Sequence, residues 1–184
     1  VYPKAHWQAP AGVVVTRSLK TALARLKEGA TVILDPISDE AHFPKSIKAQ
    51  FSTDFWSVGT FPGQSGFMGC LVDETHPVFK KFPTQFHSDW QWWQLTSKRA
   101  MILPDGVRSL ITGLDSYARM RNLSLLFEAK VGQGKLLVSS MGLLSDGRLP
   151  EVNAMLTSIC DYAASEVFAP TQEMTEETLR ALIV

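Results

Sequence analysis

The chain has 184 residues, of which 45% are hydrophobic and 20% charged, a composition typical of a globular domain rather than of a disordered or membrane-embedded chain. Lysine and arginine together number 18, as do aspartate and glutamate, so no excess of positive charge is present to attract nucleic acid or anionic lipid. No apolar run approaches the roughly 18–20 residues of a membrane span, and the widely separated Cys70 and Cys160 predict neither a disulfide framework nor a zinc site.

The first elements along the chain are a strand, a helix and a second strand. The β-branched run VVVTRS (13–18) ends in Ser18, a residue type that caps helix N-termini. SLKTALARLKEGA (18–30) has leucines and alanines at helical spacing before Gly29, which ends the helix. TVILDP (31–36) is a buried type of strand. The sequence therefore predicts a βαβ unit, whose two strands pair in parallel.

The later elements are less regular. Residues 37–69 show little periodicity and are predicted to form a long irregular stretch, which in compact domains is often a functional or interface loop. The remaining predicted elements are a short strand at 67–73, a helical turn at 76–83, strands at 99–105 and 109–115, a hairpin at 122–142 around GQGK, a helix at 150–168 and a short helix at 175–184. This order predicts a three-layer α/β sandwich with a partly parallel sheet.

We expect a single domain over residues 1–184, with residues 1–12 as an N-terminal linker and residues 170–184 as a C-terminal helical extension. A chain of this length can bury a core without disulfides. It begins with VYPKAHWQAP rather than with Met, which leads us to expect a mature or excised piece of a longer protein.

Two groups of residues are candidates for catalysis. Cys70 follows a glycine, as the nucleophile of an α/β elbow does, but Val72 stands where the tight turn needs a small residue. His87 and Asp89 flank Ser88, yet neighbours on a strand point to opposite faces and would not converge on one reacting atom. We therefore expect no catalytic residues, and an enzyme that uses Cys70 or His87 is the less favoured alternative.

Phosphate and metal sites have no recognisable signature. The glycines of GQSG and GQGK lack the spacing of a P-loop or a dinucleotide-binding turn. Four possible metal ligands share one loop without a known ligand spacing: Asp35, Asp39, Glu40 and His42. A solvated acidic loop is the simpler interpretation, so the sequence predicts no metal and no cofactor.

The stretch FPTQFHSDWQWWQL (82–95) places three of the five tryptophans within four residues. In a strand, Trp90 and Trp92 would share one face and could stack on sugar rings, while Trp93 would share the other face with Asp89. The alternative is that at least two of the tryptophans fill the core or a domain interface, as large aromatic side chains do. The residues alone leave both alternatives open.

Two longer blocks carry a resemblance to a known family. FWSVGTFPGQSGFMGCLVDETHPVFKKFPTQFHSDWQWWQL (55–95) and LLFEAKVGQGKLLVSSMGL (125–143) resemble the C-terminal region of bacterial family 2 glycoside hydrolases, the β-galactosidase-like and β-glucuronidase-like enzymes of polysaccharide-degrading, Bacteroides-type bacteria. The resemblance covers roughly Val13 to Val184. It implies a class I glutamine amidotransferase-like, flavodoxin-like fold with a mostly parallel sheet and an antiparallel hairpin. The GxCxG elbow and the downstream His-x-Glu pair of true amidotransferases are absent, so that activity is not implied.

The same resemblance implies a non-catalytic accessory domain. The family's catalytic glutamates lie on an upstream (β/α)₈ barrel of about 250 residues, for which this chain has no room. The implied partners are the catalytic and β-sandwich domains of the same polypeptide, with carbohydrate as a further ligand, and the implied location is the periplasm or the exterior. A stand-alone carbohydrate-binding module is the alternative. The expected contact residues are Trp56, His87, Asp89, Trp90, Trp92 and Trp93, with the aromatic loop 51–67 beside them.

Overall fold

The computed structural model describes residues 6–52, 61, 66–96 and 98–184 as a mixed α/β fold. The strands in these residues are β1 (Val13–Thr16), β2 (Thr31–Leu34), β3 (Ser46–Ala49), β4 (Cys70–Val72), β5 (Lys98–Ile102), β6 (Ile111–Gly113), β7 (Leu123–Val131) and β8 (Gly134–Ser139). The α-helices are α1 (Leu19–Lys27), α2 (Trp93–Thr96), α3 (Pro150–Ala163) and α4 (Glu176–Leu182). Short 3₁₀ turns occupy Pro77–Phe79, Trp90–Trp92 and Leu143–Ser145. None of the helices in the described ranges has the length and apolarity to cross a membrane.

The predicted βαβ unit is confirmed. β1 and β2 pair in parallel, with Val13 opposite Thr31. The hydroxyl of Ser18 accepts the N–H of Thr21 at 3.3 Å and so caps α1 as expected. The helix buries its predicted apolar side chains, which are Leu19, Ala22, Leu23 and Leu26.

The eight strands form one sheet in the order β1-β2-β8-β7-β5-β3, with β6 beside β7 and β4 beside β6. Of the seven strand pairs in the described residues, β1–β2 and β2–β8 are parallel and the other five are antiparallel. The sheet therefore contains more antiparallel pairing than the sequence predicted. Three of the antiparallel pairs involve β7, which is joined to β8 by the two-residue turn Gly132–Gln133 and also pairs with β5 and β6. Gly132 has φ +59°, a conformation that glycine adopts readily in such turns.

Two elements differ from their predicted bounds. β3 lies inside the stretch predicted to be irregular, and its alternation is short: Ile47 and Ala49 are buried and Lys48 is exposed. α3 begins at Pro150 as predicted but ends at Ala163 rather than at residue 168. β3 (SIKA) has a single β-branched residue, whereas β1 (VVVT) and β2 (TVIL), which are no longer, consist almost entirely of such residues and could be recognised from composition.

Apolar side chains are buried on both faces of the sheet. Along β2, Val32 and Leu34 belong to one cluster, which contains the buried residues of α1 and α4, whereas Ile33 belongs to a second cluster with α3. This alternation follows from the pleat, which sends successive side chains to opposite faces. The second cluster also includes Phe82 and Trp92, so the segment that follows β4 packs on the same face as α3.

Candidate functional site

The tryptophan cluster forms helical turns rather than a strand. Trp90–Trp92 is a 3₁₀ turn that continues into α2, and the carboxylate of Asp89 caps it by accepting the N–H of Gln91 at 3.0 Å. A 3₁₀ turn rotates successive side chains by about 120°, so residues two apart do not share a face. Trp90 and Trp92 therefore do not share one face, as they would in a strand. The cap formed by Asp89 is the local reason why this segment is helical.

Trp92 is a core residue. It is 0% exposed, and its ring lies edge-on to Phe82 with the centroids 5.3 Å apart. Its indole N–H donates a hydrogen bond to the hydroxyl of Thr84 at 3.0 Å, which satisfies the polar atom of the buried ring. Trp92 is consequently not available as a surface contact.

The other predicted contact residues have different environments. Trp90 is 89% exposed and Trp93 is 48% exposed, and the Trp93 ring lies 6.0 Å from that of Phe51. His87 is half-buried with its ring edge-on to Phe86 at 4.7 Å. Asp89 is exposed and caps the 3₁₀ turn. Trp56 lies outside the described residues.

Exposed apolar side chains are concentrated in one part of the chain. Of the eleven large hydrophobic residues that are exposed in the described ranges, eight fall between residues 61 and 120. We call these eight the exposed apolar set: Phe61, Met68, Leu71, Phe86, Trp90, Trp93, Tyr117 and Met120. Met68 and Leu71 lie just before and on β4, Phe86, Trp90 and Trp93 lie on or just after the segment that pairs with it through Leu71 and His87, and Tyr117 and Met120 lie in the loop after β6. Exposed apolar side chains that form a contiguous patch usually mark an interaction site.

The loop after β6 holds two of these residues on a rigid clasp. Asp115 accepts hydrogen bonds from Nε and Nη2 of Arg121 at 2.7 and 2.9 Å and from the Arg121 N–H at 2.9 Å. Burial opposes ionisation of Asp115, but the hydrogen bonds from Arg121 outweigh it and lower the pKa of the carboxyl. Between the two ends, Tyr117 and Met120 are exposed, and Met120 has φ +47°, which is uncommon outside glycine.

Cys70 and its neighbours do not form a nucleophilic site. The Cys70 side chain is 1% exposed, and burial raises the pKa of its thiol far above the ordinary value. The Ser88 hydroxyl accepts the backbone N–H of Cys70 at 3.0 Å, while the Nδ1 atom of His87 lies 3.1 Å from the Ser88 carbonyl oxygen. Burial, with a smaller contribution from the charge of Asp161, also raises the pKa of Cys160 to about 12.

We expect both cysteines to resist thiol reagents in the native protein. At pH 7.5, Ellman's reagent should label Cys70 and Cys160 only as fast as the protein unfolds, because the thiols are buried and protonated. Labelling should be complete at once in guanidinium chloride. Rapid labelling of one thiol in the folded protein would contradict this expectation. If the rapid labelling persists in the Cys160→Ala variant, the reactive thiol is Cys70, and an enzyme that uses Cys70 becomes a candidate again.

Asp35 departs from the expected solvated acidic loop. It follows β2 at the end of the parallel strands and is 1% exposed, and its Oδ2 atom accepts the N–H of Leu144 at 2.7 Å. Burial raises the pKa of this carboxyl, and hydrogen bonds from Leu144, Ser139 and Leu143 oppose the shift. Its Oδ1 atom is buried without a hydrogen-bond partner within the described part of the chain.

The rest of that loop shows no metal site. Asp39 accepts hydrogen bonds from the N–H of His42 at 2.9 Å and lies 2.7 Å from its Nδ1 atom. These contacts lower the pKa of the Asp39 carboxyl. Across the described ranges, no group of three histidine, cysteine or acidic side chains is arranged to hold a metal ion.

A polar cavity of about 490 Å³ lies between β4, β6, β7 and residues 171–172. Its polar lining residues are Asp73, His76, Arg108, Ser109, Thr112, Glu128, Thr171 and Gln172, and its apolar ones are Leu71, Val72 and Leu110. Sequence reasoning missed this cavity because its residues come from separate elements that only the sheet brings together. No motif connects them.

Buried neighbours hold the cavity walls in place. The Tyr162 hydroxyl donates to Oε2 of Glu128 at 2.8 Å, and burial, with Glu128 beside it, raises the pKa of the phenol well above its usual value. The side-chain amide of Gln172 accepts the N–H of Arg108 at 2.8 Å and donates to its carbonyl at 3.0 Å. The Nδ1 atom of His76 accepts the N–H of Val78 at 3.2 Å.

Comparison with known proteins identifies a family but no activity. The model of a family described as a domain of unknown function (DUF8487) matches residues 13–184, which is nearly the whole chain. No curated protein matches the chain.

Proposed function

Since the chain belongs to this family of domains of unknown function, we propose from its own surfaces that it is a non-catalytic accessory domain of a family 2-like glycoside hydrolase. In this proposal it packs against the catalytic and β-sandwich domains of the same polypeptide. The observation that carries the proposal is the exposed apolar set, eight of the eleven exposed large hydrophobic residues of the described ranges.

The chemistry of the exposed apolar set suits a protein partner. Trp, Tyr, Phe and Met are enriched at protein interfaces relative to the rest of the surface, and they make up all of the set except Leu71. Tyr117 and Met120 lie between Asp115 and Arg121, whose hydrogen bonds hold the two ends of the loop together, so less backbone entropy would be lost when this loop binds. The resemblance to the C-terminal region of family 2 enzymes implies that the partner is the other domains of such an enzyme.

The buried cysteine supports a role without catalysis in this chain. The resemblance implies an amidotransferase-like fold, whose nucleophile would be an accessible cysteine on an elbow. Cys70 is 1% exposed on a strand, and its neighbour Ser88 is bonded to the Cys70 main chain. A thiolate nucleophile in this position would require the sheet to open.

We further propose that the fold is a three-layer, flavodoxin-like and amidotransferase-like sandwich. The βαβ unit and the buried clusters on both faces of the sheet support this description. Two features differ from a flavodoxin-like sheet, which is mostly parallel and has its first strand between the second and the third. Five of the seven strand pairs described here are antiparallel, and β1 lies at the edge of the sheet beside β2. A periplasmic or extracellular location follows from the resemblance and is proposed on that ground alone.

The proposal is tested by reconstitution. The complete reading frame should encode a glycosidase domain, and that domain, produced separately, should bind this chain in isothermal titration calorimetry. Trp90→Ala should weaken the association about tenfold or more, as truncation of an interface tryptophan usually does. The matched control is Val167→Ala, which removes an exposed apolar side chain (62% exposed) outside the set and should change nothing. A reading frame without a glycosidase domain, or association unaffected by Trp90→Ala, would overturn the proposal.

A stand-alone carbohydrate-binding module is the second candidate, and the exposure of Trp90 (89%) and Trp93 (48%) is the observation that favours it. Exposed indole rings can stack on the apolar faces of sugars. The test is a titration of the isolated chain with plant and host glycans, followed by tryptophan emission. A saturable shift that Trp90→Ala abolishes would favour this candidate, and no response to any glycan would exclude it.

A further inference from the structure

We propose that the polar cavity between β4, β6 and β7 binds a neutral polyhydroxylated ligand, a single sugar unit or a polyol of similar size. The inference stands independently of the proposed docking role, because only Leu71 belongs both to the cavity and to the exposed apolar set. The volume of about 490 Å³ lies within the usual range of ligand pockets, roughly 300–1,000 Å³.

The cavity walls are fixed before any ligand arrives. Both main-chain polar groups of Arg108 are bonded to the side-chain amide of Gln172, whose nitrogen also donates to the Glu128 carbonyl. The Glu128 carboxylate is held by the hydroxyl of Tyr162, a residue that is only 5% exposed. A site with its polar groups already oriented loses less entropy on binding than a flexible surface does.

Several polar atoms of the lining are left for a ligand. Within the described part of the chain, the guanidinium of Arg108, the Oε1 atom of Glu128 and the hydroxyl of Thr112 have no hydrogen-bond partner. In His76 the Nδ1 atom accepts a hydrogen bond, so in the neutral ring the hydrogen is on Nε2. The lining therefore offers a ligand N–H donors, a carboxylate oxygen as acceptor, and a hydroxyl group that can both donate and accept a hydrogen bond.

Hydroxyl groups are the ligand chemistry that this mixture fits. A hydroxyl donates one hydrogen bond and accepts others, so it can bridge a carboxylate and a guanidinium or imidazole N–H. The cavity also has aliphatic walls at Val72 and Leu110, against which the C–H groups of a sugar ring or polyol can pack. A ligand with several hydroxyls on a carbon framework uses both kinds of wall.

The charge of the lining argues against a charged ligand. The lining contains two carboxylates, Asp73 and Glu128, and one guanidinium, Arg108. An anion would meet an excess of negative charge, and a simple cation would meet Arg108. A free amino acid, whose opposite charges could pair with Arg108 and Glu128, is the strongest alternative and is included in the test.

The test follows ¹H–¹⁵N NMR spectra of the chain during titration with glucose, galactose, mannose, xylose and glycerol. Each is added to about 50 mM, because single sugars commonly bind with millimolar Kd. Glucuronate and leucine serve as the anionic and zwitterionic comparisons. We expect saturable shifts of the amides near Arg108, Thr112 and Glu128 with at least one neutral compound, and none with glucuronate or leucine.

Two variants assign the binding to the cavity. Glu128→Gln keeps an acceptor for the Tyr162 hydroxyl, and Arg108→Gln removes the charge of an exposed side chain, so both should fold with an unchanged melting temperature. Each should weaken binding roughly tenfold or more, the usual effect of losing a hydrogen bond to a charged group. The control Arg148→Gln, at an exposed arginine outside the lining, should bind as the parent does. The proposal is overturned if no neutral compound shifts these amides, if only glucuronate or leucine does, or if both variants bind normally.

Discussion

Replacement of Trp92 by alanine is expected to lower the free energy of unfolding by about 3–5 kcal/mol, the usual cost of truncating a buried large aromatic side chain. Trp92 is 0% exposed, its ring meets Phe82 and Phe79 edge-on, and its N–H is bonded to Thr84. The truncation therefore removes apolar burial, leaves a cavity and breaks a hydrogen bond. Urea unfolding followed by far-UV circular dichroism measures the loss. Because the free energy of unfolding of a typical domain is about 5–15 kcal/mol, a loss of this size would leave the Trp92→Ala variant close to unfolding.

The matched control is the neighbouring tryptophan in the same 3₁₀ turn. Trp90 is 89% exposed, so Trp90→Ala should change the free energy of unfolding by no more than about 0.5 kcal/mol. Both variants lose one indole from the same turn, so their signals are directly comparable. Equal destabilisation by the two substitutions, or a loss below about 1 kcal/mol for Trp92→Ala, would contradict the assignment of Trp92 to the core.

Asp35→Ala is expected to lower the free energy of unfolding by about 1–3 kcal/mol, the usual cost of leaving a buried donor without its acceptor. The carboxyl group is 1% exposed and accepts the N–H of Leu144 at 2.7 Å. Its loss would leave that N–H, in the turn after β8, without an acceptor. Asp35→Asn keeps an acceptor oxygen and should cost less. Chemical denaturation at pH 7 measures both variants, and equal stability of Asp35→Ala and the parent would show that this bond does not hold the turn.

The difference in the free energy of unfolding between the parent and Asp35→Asn should change with pH in a definite direction. Burial raises the pKa of Asp35 in the folded protein, whereas the unfolded chain has the ordinary value of about 4. Between the two values the folded state keeps a proton that the unfolded state has lost, so this contribution to stability is complete below about pH 4 and is lost as the pH rises through the folded-state pKa. The free energy of unfolding of the parent relative to Asp35→Asn should therefore fall from pH 4 upward. A difference that rises with pH would mean that the folded state favours the ionised form.

The parts of the fold that could be predicted are those with long, uninterrupted patterns. An apolar pattern runs through the βαβ unit, the hairpin of β7 and β8 and the start of α3. In addition, Ser18 marks the start of α1 and Pro150 marks the start of α3. β3 has four residues, and its pairing with β5 depends on a partner about fifty residues away. Such short strands are stabilised by tertiary pairing, which leaves little trace in local sequence.

The environments of the candidate site residues could not be predicted from local sequence, for a physical reason. The density of aromatic residues drew attention to residues 90–93, but it could not separate Trp92, which is buried, from Trp90, which is exposed. That separation depends on the capping of the turn by Asp89, a local signal that the strand interpretation overlooked. The burial of Asp35 depends on Leu144, more than a hundred residues away, and no local pattern reports it.

The central position of β7 and β8 has a consequence for synthesis of the chain on the ribosome. β2 has β8 as its inner neighbour, and β5 and β6 both pair with β7, so the six strands that the structure describes before Leu123 pair among themselves as three separate two-stranded ribbons. Isolated two-stranded ribbons are marginally stable in water. The nascent chain must therefore wait until residues 123–139 have left the exit tunnel before its sheet can close. Folding of this domain is then a late, largely non-local event, in which an unfinished chain exposes its apolar strands to chaperones for most of its synthesis.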